Sequence, residues 1–107
     1  MTVIAPLADG KKLCKETHSG PSAYPEGGTV ITVQDVNQVI EILCVGISSG
    51  YVTDVEKSTV LSANHVSVPV FYIPDPTTIS GSDSPLKEVT SGTDLSGTKI
   101  TIVYVGY

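Results

Sequence analysis

The longest apolar stretch of the chain covers residues 29–47, and its pattern changes part-way along. Over residues 30–33, Val30 and Thr32 alternate with Ile31 and Val33, which is the period of a β-strand. Thr32 and Asp35 then stand three residues apart, as in a capping box at the start of a helix. The pattern therefore predicts a strand that leads into an amphipathic helix over residues 33–44. The apolar stripe of this helix has the spacing of one helical face: Val36, Val39, Ile40, Leu43, Cys44 and Ile47.

A buried strand over residues 40–47 is the alternative interpretation of the same stretch. Val and Ile, which favour strands, dominate it. We favour the helix, because the apolar positions recur at spacings of three and four. On this interpretation the stripe is the centre of the core, and Leu43 is buried against a strand over residues 98–105.

The N-terminal part of the chain predicts a hairpin followed by a loop. Asp9-Gly10 is a strong two-residue turn signal between two short strand candidates, and Pro6 places the first strand at the edge of a sheet. Residues 17–28 are rich in Gly, Pro and Ser, which is typical of a loop. We therefore divide the chain into a loop-rich N-terminal arm or edge hairpin, residues 1–28, and a single β-rich domain, residues 29–107.

The rest of the chain has the pattern of β-structure. Apolar residues alternate over residues 64–73, where Pro69 indicates an edge or a bulge. Residues 75–97 are rich in Ser, Thr, Gly and Pro and predict a long surface loop. Both faces of residues 98–107 are apolar, so this strand should be central. The predicted fold is mainly β with one helix (α+β), a small antiparallel sandwich or barrel-like sheet packed by the central amphipathic helix.

Composition narrows the classes of function. The chain has 107 residues, enough for one domain with a real core. Charged residues make up 16%, against about 25% in ordinary soluble domains, and the net charge is −5 with no Arg. A nucleic-acid partner would need a basic face, so we expect none. A surface of hydroxyls and amides repels its neighbours weakly and tolerates close packing against other subunits.

The sequence has no features of export or membrane insertion. No apolar run reaches the roughly 18 residues of a membrane span. The first residues lack the basic and apolar regions of a signal peptide. We therefore expect synthesis in the cytoplasm and no membrane partner. The only two cysteines, Cys14 and Cys44, imply no disulfide framework and are expected to pack as small core residues.

One stretch matches a catalytic motif. Residues 46–50 read G-x-S-x-G around Ser48, and Asp54 and His65 follow in the order of an α/β-hydrolase triad. That motif requires a helix directly after the serine, whereas Tyr51 opens a β-like stretch. We expect a polar turn here, and we predict no catalytic residue.

Other candidate ligand groups lack the spacing of known sites. Neither histidine, His18 or His65, forms a metal-ligand pair with Cys14 or an acid. The acids of the Ser/Thr-rich loop lack the calcium-loop spacing: Asp75, Asp83 and Asp94. The tyrosines near strands could form a sugar platform, although core or cross-strand packing is the expected role: Tyr51, Tyr72 and Tyr104. The small basic cluster is expected to be a solvated face: Lys11, Lys12 and Lys15. We predict no cofactor and no metal.

The C-terminal stretch SGTKITIVYV, residues 96–105, is similar to the closing G-T-x-I-x-[IV] strand of head-decoration (capsid cement) proteins of tailed phages. The loop-rich N-terminus and the Ser/Thr/Val-heavy, Arg-free composition also resemble such accessory proteins. This resemblance implies a structural virion protein that forms a homo-oligomer, such as a trimer, on a major shell protein. The alternatives are a non-catalytic β-sandwich binding module, for instance for carbohydrate, and a small hydrolase.

Overall fold

The computed structural model describes residues 2–7, 10–48, 50–72 and 87–107. The described residues are mainly β: ten strands form three antiparallel sheets, and a short 3₁₀ turn lies at Val55–Lys57. The strands are β1 Thr2–Pro6, β2 Lys12–Ser19, β3 Thr29–Thr32, β4 Val39–Ile47, β5 Tyr51–Thr53, β6 Thr59–Ser62, β7 His65–Val68, β8 Val70–Tyr72, β9 Lys87–Glu88 and β10 Lys99–Gly106.

The first sheet has the strand order β1-β2-β10-β4, so the C-terminal strand β10 is central, as its apolar faces predicted. Its side chains alternate between buried and partly buried, with Ile100, Ile102 and Tyr104 fully inside. Eight consecutive residues of β10 pair with β2 without a break. β1 is an edge strand, which agrees with the prediction from Pro6, whereas β2 lies inside the sheet.

The amphipathic helix predicted over residues 33–44 is wrong. A loop follows β3, and strand β4 then pairs with β10 along its length. Leu43, the expected core residue, keeps 46% of its surface exposed. The alternative interpretation, a strand over residues 40–47, is closer to the structure, but that strand is a sheet edge with several exposed side chains and is not buried.

Two β-bulges explain why a strand has a helix-like pattern. Opposite two consecutive residues of β10 lie Cys44 and Ile42, so Leu43 is the additional residue of the first bulge. In the same way Ile40 is the additional residue of the second. Each bulge lengthens one side-chain repeat from two residues to three, which approaches the helical period. The residues of β4 that pack on the core accordingly are Val39, Ile42, Val45 and Ile47.

The first two sheets share one core. The second sheet has the order β3-β7-β6 and packs its apolar face against β2 and β10 of the first. The buried members of this core come from both sheets and from the loop between β3 and β4: Cys14, Ile31, Val33, Val36, Val39, Val66, Val68, Ile100, Ile102 and Tyr104.

Pro69 divides the alternating stretch predicted as one strand over residues 64–73. Proline has no N–H to donate, so the ladder cannot continue through it. β7 before it belongs to the second sheet, and β8 after it belongs to the third, whose order is β5-β8-β9. The third sheet lies over a smaller core that contains Tyr24, Val70, Val89 and Leu95, and Ile47 contacts both cores.

Candidate functional site

Exposed apolar side chains concentrate along the outer edge of β4. Of the seven large hydrophobic residues that are exposed in the described ranges, four lie on β4 and β6. We call these four the apolar seam: Ile40, Leu43, Val60 and Leu61. Single exposed hydrophobic residues are ordinary, whereas a group on neighbouring strands is a candidate interaction surface.

Two hydrogen bonds hold the two halves of the seam together. The hydroxyl of Thr53 donates to the carbonyl of Val45 at 3.0 Å. The N–H of Val39 donates to the carbonyl of Ala63 at 2.8 Å. Residues 53–63 therefore run beside the outer edge of β4 in the opposite direction, which places the 3₁₀ turn and β6 next to it.

Bulges determine which side chains reach the seam. In the β6–β7 pair, Val60 faces Val66 and Ser62 faces His65, so Leu61 is an additional residue, as Ile40 and Leu43 are in β4. A bulge interrupts the alternation of a strand and redirects a side chain away from the core face. Three of the four seam residues thus stand at bulges.

The seam has a polar rim that carries both signs of charge. Glu41 is exposed on β4, and the neighbouring 3₁₀ turn adds the exposed Glu56 and Lys57. Cys44 next to Leu43 is an exposed free thiol, which corrects the expectation that it packs in the core. An apolar centre with a charged rim is the usual anatomy of a protein–protein interface.

Glu16 is a buried acid that the sequence analysis did not single out. It is 1% exposed and lies among apolar side chains of the first core. Its carboxylate accepts hydrogen bonds from the Tyr104 hydroxyl, from the backbone N–H of Gln34 at 2.9 Å and from His18 Nε2 at 2.9 Å. A weaker bond comes from the backbone N–H of Asp35 at 3.3 Å. The sequence did contain a signal for its burial. In a strand over residues 12–19, Glu16 lies two residues after Cys14 and therefore shares the face on which Cys14 is buried.

The protonation of this cluster follows from its surroundings. Burial alone would raise the pKa of Glu16, but the hydrogen bonds from Tyr104, Gln34 and His18 together outweigh it, so the pKa is lowered. Burial, with the hydrogen bond to Glu16, raises the pKa of Tyr104. Burial also raises the pKa of the Cys14 thiol, which confirms it as a packed, weakly reactive side chain. Glu16 is therefore an ionised group that ties the loop after β3 to the first sheet.

A second buried hydrogen-bond group centres on Tyr24. Its hydroxyl donates to Glu88 Oε2 at 2.6 Å and accepts from the N–H of Val70 at 3.0 Å. Glu88 also accepts from the N–H of Gly27 at 2.7 Å. Burial raises the pKa of Tyr24. These bonds fix the loop between β2 and β3 onto the third sheet.

An open cleft of about 340 Å³ lies on the third sheet. Its lining consists of Tyr51, Tyr72, Val89, Thr90 and Thr93. Tyr51 and Tyr72 are direct cross-strand partners in the β5–β8 pair. Of the three tyrosines singled out in the sequence, Tyr104 is a core residue. Tyr51 and Tyr72 form a cross-strand pair that lines a cleft.

The hydrolase-like residues hold local structure. Ser48 accepts a hydrogen bond from the N–H of Lys99 at 2.9 Å. Asp54 caps the 3₁₀ turn by accepting from the N–H of Glu56 at 2.9 Å. After Gly50 the chain enters strand β5, so the strand–serine–helix arrangement of the motif does not form. His65 pairs with Thr32 in the sheet, and its Nδ1 is buried.

The remaining ligand candidates are dispersed. Within the described ranges, no group of three or more His, Cys, Asp or Glu residues is placed to hold a metal ion. Asp94 closes a turn by accepting from the N–H and hydroxyl of Ser96, and these bonds lower its pKa. Asp75 and Asp83 lie outside the described residues.

The predicted basic cluster is divided between two faces of β2. Lys12 and Lys15 are three apart in an unbulged pairing with β10, so their side chains leave opposite faces. Lys12 donates to the carbonyl of Asp35 at 3.3 Å. Lys15 is exposed and Lys11 partly so.

Comparisons of the chain with protein-family models, curated proteins and solved structures found no match. In the ranges that the structure describes, no helix has the length and apolar character needed to cross a membrane.

Proposed function

We propose that this protein is a non-catalytic assembly subunit that acts through protein–protein contacts, as a capsid decoration or cement subunit of a virion does. The observation that carries the proposal is the apolar seam. Its four large side chains lie exposed on neighbouring strands, so the isolated chain lacks the free energy that their burial would contribute. In an assembly, contact with another subunit removes this apolar surface from water.

A second copy of the chain is the partner that best suits the seam. The seam is the same exposed apolar surface on every copy, so two copies can bury it against each other in a self-complementary contact. The rim carries Glu41 and Glu56 together with Lys57, so two copies can place opposite charges against each other. The low overall charge content keeps repulsion between copies small. We expect a symmetric homo-oligomer, such as a trimer.

The shell contact and the location of the protein follow from the resemblance to decoration proteins. On this proposal the chain is made in the cytoplasm and joins the virion by binding the major shell protein. Multiple copies in one oligomer would grip several shell subunits at once and gain avidity. Neither nucleic acid nor a membrane takes part.

Native mass by light scattering, together with co-sedimentation on purified phage shells, tests this proposal. The variant Leu43→Ser removes an apolar side chain from the seam and should raise the dissociation constant of the oligomer about tenfold or more. Val30→Ser is the matched control, because Val30 is equally exposed but lies on β3, away from the seam. The control should keep the wild-type mass and shell binding.

Two results would contradict the proposal. One is a wild-type monomer at all concentrations that never sediments with a shell. The other is ester hydrolysis by the purified protein that disappears in Ser48→Ala, which would make the chain a hydrolase.

A further inference from the structure

The cleft on the third sheet contains two tyrosines whose hydroxyls have no hydrogen-bond partner among the described residues. In the buried positions, the hydroxyls of Tyr24 and Tyr104 are hydrogen-bonded to Glu88 and Glu16. Tyr51 and Tyr72 are only partly buried, and their hydroxyls make no hydrogen bond within the described part of the chain. Tyrosines with an exposed polar tip and a packed ring are common at binding surfaces.

The cleft is held in shape by the core beneath it. The rings of Tyr51 and Tyr72 pack on the smaller core around Tyr24. The opposite wall is fixed by backbone hydrogen bonds on both sides of Tyr24, whose N–H donates to Thr93 and whose carbonyl accepts from Gly92, both at 2.8 Å. A site that is formed before binding loses little entropy when a ligand enters.

Among the described residues, those that line the cleft are uncharged. Beside the two tyrosines it has Val89, Thr90 and Thr93, and the hydroxyl of Thr93 donates to the Thr90 carbonyl at 2.7 Å while keeping its acceptor sites. Lys87 pairs with Tyr72 across the strands but is exposed and lies outside the lining. Phosphate or nucleotide binding would need cations or converging N–H groups, so a neutral ligand fits better.

We propose that this cleft binds a neutral saccharide of one or two rings. A pyranose has an apolar C–H face, which can lie on an aromatic ring, and an edge of hydroxyls, which can exchange hydrogen bonds with tyrosine and threonine hydroxyls. The volume of about 340 Å³ lies near the lower end of ligand sites, which suits a small sugar. This binding is separate from the apolar seam and does not depend on assembly.

A titration of the ¹⁵N-labelled protein with maltose, galactose and N-acetylglucosamine, followed by NMR, tests the proposal. At least one sugar should shift the amide signals of Tyr51, Tyr72 and Thr93, with a dissociation constant on the order of 1 mM. Tyr72→Ala should weaken this binding about tenfold. Tyr72→Phe keeps the packed ring and removes only the hydroxyl, so it tests the site in a variant that folds. It should also weaken binding, by less than the alanine change.

Tyr107→Ala is the control, because Tyr107 is exposed but does not line the cleft. Its affinity should equal that of the wild type. The proposal is overturned if none of the sugars shifts the cleft signals, or if a proline-rich peptide binds there and the sugars do not. Binding that persists unchanged in both Tyr72 variants would also refute it. Loss of oligomers in Leu43→Ser with sugar binding intact would separate the two proposals.

Discussion

Glu16 shows how a single residue can join distant parts of the chain. Its carboxylate accepts hydrogen bonds from Tyr104 at the other end of the sequence and from the backbone of Gln34 in the loop after β3. A buried charge is tolerated only when its bonds are satisfied, and loss of the acceptor would leave these donors unpaired. Glu16 therefore stabilises the attachment of the loop to the first sheet.

Because of these hydrogen bonds, the stability of the fold depends on pH. The folded state lowers the pKa of Glu16 below its ordinary value of 4.5, so its contribution is complete above that pH and is lost as the pH falls through the lowered value. We predict that the unfolding free energy of the wild type drops below about pH 4.5. Glu16→Gln should cost about 1–3 kcal/mol at pH 7 and flatten this drop. Urea unfolding between pH 7 and pH 3 measures both effects.

Glu41→Gln is the control for this experiment, because Glu41 is exposed on β4 and should not change stability at pH 7. If Glu16→Gln and the wild type lose stability in parallel with acid, Glu16 is not the group that titrates.

At the scale of elements, local pattern predicted some strands and failed where pairing decided the structure. The alternation in β10 and the hairpin signal at Asp9-Gly10 depend on neighbouring residues. The structure confirms that strand and the antiparallel pairing of β1 with β2, whereas Asp9 lies outside the described residues. The bulges at Ile40 and Leu43 exist only because β4 pairs with β10, far away in sequence. They lengthen the two-residue repeat of the strand towards the period of a helix. The pattern of residues 33–44 therefore predicted a helix wrongly.

The candidate sites show the same limit. A Glu on the apolar face of β2 was visible in the sequence, but its donors come from Gln34 and Tyr104, which only the fold brings near. Tyr51 and Tyr72 were recognisable as strand aromatics, yet their direct opposition depends on the register of β5 and β8.

Because residues 39–47 form an edge strand, two apolar residues of the first sheet should contribute very differently to stability. Leu43 is an exposed bulge residue, so Leu43→Ala should change the stability of the monomer by no more than about 0.5 kcal/mol. Ile102 is fully buried in β10, so Ile102→Ala should cost about 2–5 kcal/mol. Denaturant unfolding at a concentration where the protein is monomeric measures both. A loss of several kcal/mol in Leu43→Ala would restore the core role that the sequence indicated.

At the scale of the whole molecule, the apolar seam and the tyrosine cleft are two separate surfaces. The apolar seam lies where β4 meets β6, on the outer edges of the first and second sheets. The tyrosine cleft belongs to the third sheet and its own small core. A subunit with two separate surfaces can assemble through one of them while the other stays accessible to a ligand in solution.

The alkylation rate of Cys44 tests the central claim, that the seam is buried between copies, most directly. Cys44 is exposed beside Leu43, whereas Cys14 is buried, so iodoacetamide reports on the seam. We predict that the rate falls as protein concentration rises into the range where light scattering detects oligomers. In Leu43→Ser the rate should stay high over that range. A wild-type rate that is the same in monomer and oligomer would contradict the claim, because the copies would then meet elsewhere.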